Sequence, residues 1–473
     1  MAERAFAEGL AVTRPSGERI PIPVTATPVL LSSQELKSRS LLSHTLAGAA
    51  VKVANILLQG DHRHLFLDAL SPLERRFALI TRASILPVAR VDYFVDASIP
   101  HALELNATIP AMQGYSDIAM ESLVASVGAA RGLGAQEITG IQAMTPSNAR
   151  ALFEALQQAT IQKSGHAPKR IFHLLRPLDA QITEQQFLAR RFSSWGIESR
   201  VIVPEDLVKI RLTGEDLIYR HIFVRRLEES IPGRDDAIGL LDDAVRGAKH
   251  GTPTVLNLPA SPYEEKILFS FLSQILHMSD LARDTALSDE ELNAIEVSVP
   301  WTRHFRSGRS TLGSGERIAN LLDEVAQDPE RYVLKRSWDY GGRAVFVGST
   351  RDDPSFKERV LTAYGEVLDW AALCKRCAED LTGGGYVVQQ RIENTQDPHI
   401  LCDHDGAHEI ALHVDFSSYA SVGLEADIAW GGVCRGSTSS IVNIVGGGGV
   451  VPLLTEEASR ALFDKPSQAT PAK

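Results

Sequence analysis

The chain has 473 residues, 44% hydrophobic and 23% charged, with a net charge of −11. That suits a globular protein of two or three domains and argues against non-specific binding to nucleic acid or anionic membranes. No unbroken apolar run approaches the roughly 20 residues of a membrane span, no signal-peptide core opens the chain, and four cysteines make no disulfide framework, so a reducing cytoplasm is expected.

Apolar residues at helical spacing through Leu41, Leu46, Val51 and Ile56 predict a helix over residues 36–58. Two strands follow. ARVDYFVD places Arg90 and Asp92 on one face, and LELNATIP places Glu104 and Asn106 on one face, because residues two apart on a strand point the same way. A carboxylate beside a carboxamide oxygen suits a hard cation such as Mg²⁺. A solvated edge and a surface ion pair are the plain alternatives. The next helix is predicted from about residue 117, capped by Asp117.

Between about 168 and 260 the pattern changes. KRIFHLLRP, SRVIVPEDL, DLIYRHIF and TPTVLNLP read as short buried strands, with a helix ending near Gly196 after the first. Strands alternating with helices predict a parallel sheet wrapped by helices.

The last third mixes both types. ERYVLKRSWDYGGRAVFVG predicts strands at 332–335 and 344–347 around a loop with Gly341 and Gly342. Lys335 and the N–H groups of such a loop can meet phosphate oxygens. It is not a Walker A loop, because GxxxxGK[ST] is absent, and a plain hairpin is the alternative. A helix is predicted over 355–381, then a strand in YVVQQRI. There Gln389 and Gln390 either form a hinge whose main chain reads an adenine edge or simply end a core strand. HILCDHDGAHEIALHVDF predicts a hairpin turning at Asp405–Gly406. Its crowd of His399, Cys402, Asp403, His404, Asp405, His408 and His413 reads as a solvated turn rather than a metal site. Cys374 and Cys377 fall within a helix without zinc-type spacing to other ligands. GVCRGSTSSIVNIVGGGGVVPL gives a last strand pair and a glycine run at 446–449. Asp415, Arg435 and Asn443 near it are candidates for the substrate side. The polar tail, 461–473, is expected to fray.

Taken together, the lysine strand, the glycine loop, the adenine-side strand and the R-x-D…E-x-N set of Arg90, Asp92, Glu104 and Asn106 resemble the ATP-grasp ligases. In ordinary members the E-x-N strand comes last. Here it comes first, which resembles the circularly permuted ATP-grasp group of glutathionylspermidine synthetase. The resemblance implies an α/β chain of mixed α+β type, a circularly permuted ATP-grasp fold with a Rossmann-like pre-ATP-grasp domain. The permuted metal strands would lie in 1–165 and the Rossmann-like domain in 166–262. The lysine, glycine-loop and adenine-side parts would lie in 263–460, with a flexible tail at 461–473.

It also implies an ATP-dependent carboxylate–amine ligase. ATP phosphorylates a carboxylate, an amine attacks the acyl phosphate, and ADP and phosphate leave. Arg90 would sit over the transferring phosphate, with Asp92, Glu104 and Asn106 as Mg²⁺ ligands. Lys335, Gly341, Gly342, Gln389 and Gln390 would hold ATP, and Asp415, Arg435 and Asn443 the substrate. The family's first ATP lysine has no evident counterpart; PWTRHFRSG offers Arg303 and Arg306. The expected partners are a small-molecule carboxylate and amine, with no nucleic acid or membrane, and a homodimer is allowed. The acidic excess mildly favours a cationic acceptor. Two rivals are a small-molecule kinase and a non-catalytic ATP-binding scaffold. A new amide formed in step with free phosphate excludes the first, and a pure binder has no use for Arg90.

Overall fold

Three sheets organise the computed structural model, which describes residues 1–464 except 82, 83, 97, 248–250, 260, 340, 404, 405, 425–427 and 445–447, and the side chains of 279, 280 and 282. The largest has seven strands in the order Gln396–Asp403, Val24–Thr25, Gly449–Val451, Val433–Ser437, Gly406–Val422, Leu86–Asp96 and Ile99–Asn106. All neighbours are antiparallel except Val24–Thr25 with Gly449–Val451.

Both faces of this sheet are covered, as a sheet buried on two sides requires. On one face the helix Ser33–Leu57 packs on Gly406–Val422. Ser32 accepts the N–H of Glu35 and Glu35 returns the bond, a capping box that fixes the helix start. The helices Gln113–Ala130 and Asn148–Ser164 cover the other face, with Leu123, Leu152 and Leu156 fully buried. Each such side chain contributes about 1.5–3 kcal/mol through burial. Among the described residues Ser33–Leu57 is also the one helix long and apolar enough to cross a membrane, but 56% of its most apolar stretch is buried inside the fold. Lys37, Arg39 and Lys52 interrupt it, so no unbroken apolar run marks it in the sequence.

The second sheet is all parallel, in the order Thr254–Leu256, Asp216–His221, Arg170–Leu175 and Glu198–Ile202. Its two inner strands, Arg170–Leu175 and Asp216–His221, are buried almost throughout, as parallel strands between helices must be, while the edge strand Glu198–Ile202 is largely open to solvent. The helices Ile182–Ser194 and Arg234–Arg246 make two of its connections. The third sheet is antiparallel, in the order Thr302–His304, Tyr386–Gln390, Tyr332–Arg336 and Val345–Val347.

Two sequence expectations are corrected. The helix predicted from Asp117 begins at Gln113, and Asp117 lies inside it. Its carboxylate instead accepts the N–H groups of Asn148 (2.9 Å) and Ala149 (3.0 Å), and so caps the helix Asn148–Ser164. The helix predicted over 355–381 is two helices, Pro354–Tyr364 and Trp370–Glu379. The first stops at Gly365, whose φ of 72° is left-handed and costs glycine nothing. The hairpin of Gln396–Asp403 with Gly406–Val422 closes with Asp403 opposite Gly406; His404 and Asp405 lie outside the described residues, as do residues 446 and 447 of the glycine run.

Candidate active site

The strands Leu86–Asp96 and Ile99–Asn106 pair so that Arg90 faces Asn106 and Asp92 faces Glu104. Two period-2 alternations thus merge into one polar patch. Arg90 Nε and Nη2 donate to the two oxygens of Asp92 (2.7 and 3.0 Å), and Nη1 donates to the Ala111 carbonyl (3.0 Å). Asp92 also accepts from Arg435 Nη2 (2.9 Å), and Arg435 Nε donates to Asp415 (2.9 Å). All four side chains are nearly closed to solvent. Burial alone would push the Asp92 carboxyl up, but the charges of Arg90 and Arg435 outweigh it and hold it well below the usual range.

A second set faces this patch. Lys335 Nζ donates to Gln389 Oε1 (2.7 Å) and to the Leu103 carbonyl (3.3 Å). Lys266 Nζ donates to the Asp339 carbonyl (2.9 Å) and lies 3.2 Å from Glu104. Gly341 and Gly342 are both left-handed, with φ near +70°, and a Cβ on Gly342 would lie 2.8 Å from Ile441. Only glycine fits there. Asn443 Nδ2 donates to the Gly341 carbonyl (2.6 Å), tying the glycine loop to the large sheet.

Burial pushes Lys335 down to about 8, with Lys266 adding to the fall and Glu104 opposing it. Phosphate oxygens would stabilise its charged form, so a polyphosphate should raise that value again. Nucleotide binding is therefore expected to take up about half a proton at pH 8, rising toward one near pH 9, and almost none at pH 6.5. Affinity should fall as pH rises through 8. Calorimetry in buffers of different ionisation enthalpy measures this; a proton count of zero at pH 8.5 would remove Lys335 from the phosphate site.

All twelve site residues predicted from sequence line one cavity of about 620 Å³: Arg90, Asp92, Glu104, Asn106, Lys335, Gly341, Gly342, Gln389, Gln390, Asp415, Arg435 and Asn443. Some of their expected duties do not follow. Asp92 has both oxygens engaged by arginines, Oδ1 by Arg90 and Oδ2 by Arg90 and Arg435, so it serves first as their orienting partner. Among the described residues no group of three His, Cys, Asp or Glu side chains is placed to hold a metal ion. Glu104 and Asn106 do fit one. The Glu104 side chain is about a third exposed, and the Asn106 amide nitrogen is buried without a partner, an orphan that a phosphate oxygen or a cation-bound water would satisfy. Mg²⁺ commonly needs only one or two protein oxygens when substrate phosphates complete its shell.

The adenine expectation is not met at Gln390, whose N–H donates to the Trp301 carbonyl (2.8 Å). The Gln389 amide nitrogen bonds Thr302 Oγ1 (3.1 Å) while its oxygen holds Lys335. The strand runs between two others, so its main chain is paired inside the sheet. Arg303 and Arg306 do not line the cavity. Arg303 is buried against the Thr302 and Thr311 carbonyls, and Arg306 donates to the Phe305 carbonyl. The cation missed by sequence reasoning is Lys266, in SPYEEKI, which carries no phosphate-loop spacing. Beside it Glu264 accepts the N–H groups of Ala107 and Thr108 (3.1 and 2.8 Å) and anchors the end of the Glu104–Asn106 strand.

No family model matches the chain, and no curated protein does. Among solved structures it is similar to a glutathione synthetase like-effector from Globodera pallida in its apoform, with a TM-score of 0.58 and 12% identity over 96% of this chain and 95% of that one. At that identity the likeness is one of fold, and it runs the length of both chains. A protein described as a candidate gamma-glutamylcysteine synthetase from Methylobacillus flagellatus KT aligns over 83% of each chain at 12% identity, but its TM-score of 0.35 supports no argument. The chain is a mixed α/β protein with a glutathione synthetase-like fold.

Proposed function

We propose that the protein is an ATP-dependent carboxylate–amine ligase on a circularly permuted ATP-grasp fold. In this reading residues 1–165 and 263–460 make the grasp, and 166–262, with the four-stranded parallel sheet, make the Rossmann-like domain. The product is an amide formed through an acyl phosphate, with release of ADP and phosphate. The observation that carries the reading is the convergence of Arg90, Glu104, Asn106, Lys266 and Lys335 with a glycine loop in one cavity, although they lie up to 245 positions apart in the sequence.

Each residue has a physical task. Lys266 and Lys335, both close to Glu104, supply positive charge for the triphosphate. Gly341 and Gly342 let the main chain approach phosphate and keep water from a reactive acyl phosphate. Three of the five N–H groups of Arg90 are fixed by Asp92 and Ala111, which leaves two for the oxygens that gain charge in transfer. Asp92 acts as the orienting partner of Arg90 and Arg435. Mg²⁺ held by Glu104 and Asn106 would supply Lewis-acid neutralisation of the phosphates.

Millimolar Mg–ATP is expected to raise the melting temperature through mass action. A screen of amino acids and polyamines in pairs, with ATP and Mg²⁺, should then release phosphate in step with a new amide. No thermal shift would remove the nucleotide site. ADP formed together with a phosphorylated small molecule, and no amide, would make the protein a kinase.

A further inference from the structure

The cavity continues from the phosphate side into an arm over the parallel sheet. The strand Arg170–Leu175 passes the chain to its neighbour Glu198–Ile202, while its other neighbour, Asp216–His221, passes it outward to Thr254–Leu256. The two central strands therefore send their connections in opposite directions. Such a switch point, at the carboxyl ends of an open parallel sheet, is where a crevice forms and ligands bind. Leu175 lies opposite His221 in the register. Arg176, the next residue, thus stands beside His221 at that point, and both line the cavity with Asp179.

These residues keep donors and acceptors open for a ligand. His221 is 2% exposed, yet neither ring nitrogen reaches a partner beyond its own main chain. A buried polar group left in that state costs about 1–3 kcal/mol. Burial also keeps its imidazole below the ordinary histidine value, so at pH 7 the ring is neutral, with one N–H to donate and one nitrogen to accept. Arg176 Nε reaches Asp179 at 3.3 Å, and its side chain is 35% exposed. The other Asp179 oxygen accepts the N–H of Gln181 (2.9 Å), which fixes the carboxylate in place. Met112, Tyr115 and Phe223 add apolar surface to the lining of the same cavity.

We propose that this arm seats the zwitterionic end of an amino acid or short peptide, its carboxylate against Arg176 and His221 and its ammonium against Asp179. The proposal rests on the ligase reading above and deepens it. Nine Arg and Lys side chains line the whole cavity against six Asp and Glu, in a chain whose net charge is −11. Even with part of that positive charge taken up by a triphosphate, the lining offers a polyamine no acidic surplus, which disfavours it. The cavity thus points away from the cationic acceptor that overall charge suggests.

The test is calorimetry on the full chain at pH 7 with Mg–ATP present, using L-glutamate, glycylglycine, L-alanyl-L-alanine and spermidine as probes. At least one of the first three should bind, and spermidine should bind at least tenfold more weakly. Arg176→Ala, at a partly exposed position that spares the fold, should weaken the bound probe tenfold or more. His221→Gln should weaken it severalfold. Three results overturn the proposal: spermidine binding in preference, no binding of the amino acid or dipeptides at 10 mM, or wild-type affinity in both variants. Mg–ATP is titrated separately into the same proteins. Loss of ATP binding in the wild type refutes the ligase reading itself, whereas normal ATP binding with unaffected probe binding refutes only the arm.

Discussion

Replacing Arg90 with alanine is expected to lower kcat by about a hundredfold or more while the affinity for Mg–ATP changes less. The guanidinium is held in place before any substrate arrives, with Nε and Nη2 on Asp92 and Nη1 on the Ala111 carbonyl. Such a preset donor needs no reorganisation when charge develops, and is commonly worth about 3 kcal/mol of barrier. Asp92 keeps its bond to Arg435 in the variant, so the carboxylate is not left alone in the core. Arg90→Lys should be nearly as poor, because a single ammonium cannot span both Asp92 oxygens and also reach the cavity. Steady-state phosphate release beside calorimetric ATP titration measures both effects. Lost ATP affinity with unchanged kcat at saturation would make Arg90 a ground-state clamp. No change in either would make the Arg90–Asp92 pair purely structural.

Glu104→Gln should also cut turnover about a hundredfold, and should raise the Mg²⁺ concentration needed for half-maximal rate by at least about tenfold. The change keeps volume and removes one negative charge. Lys266 keeps its bond to the Asp339 carbonyl, and the Glu104 side chain is about a third exposed, so the melting temperature should move little. A Mg²⁺ titration of phosphate release, with a thermal melt as control, checks both halves. An unaltered Mg²⁺ requirement would place the cation on other oxygens and leave Glu104 as the partner of Lys266 alone.

Much of this site is legible in the sequence because strands expose their faces by simple alternation. Arg90 with Asp92 and Glu104 with Asn106 are each two apart, and only the pairing of the two strands had to be learned from the structure. Lys335 and the Gly341–Gly342 loop are legible through turn chemistry. Lys266 is not, since its position depends on the chain passing beneath the glycine loop, where its N–H meets the Ser337 carbonyl (2.9 Å). Arg176 and His221 are hidden for a related reason: strand order, not spacing, makes them neighbours. Asp117 misleads, because a carboxylate near a helix start serves whichever N–H groups tertiary contacts bring to it. Gly365 carried a local stop signal, outweighed by helical periodicity on either side.

The pairing of Leu86–Asp96 with Gly406–Val422 has a consequence for how the protein is made. Asp92 faces Ser417, 325 positions away. At about 5–20 residues per second of synthesis, that separation corresponds to roughly 16–65 s during which one edge of the nascent Leu86–Asp96 strand lacks its native neighbour. The segment is almost wholly apolar apart from Arg90, Asp92 and the terminal Asp96, and Arg435 has yet to emerge to share the buried Asp92 carboxylate. Contacts this distant close slowly, and an unpaired apolar edge is a template for association with other chains. Chains shortened from the C-terminus past Val422 should therefore collect as insoluble material rather than as a smaller folded protein.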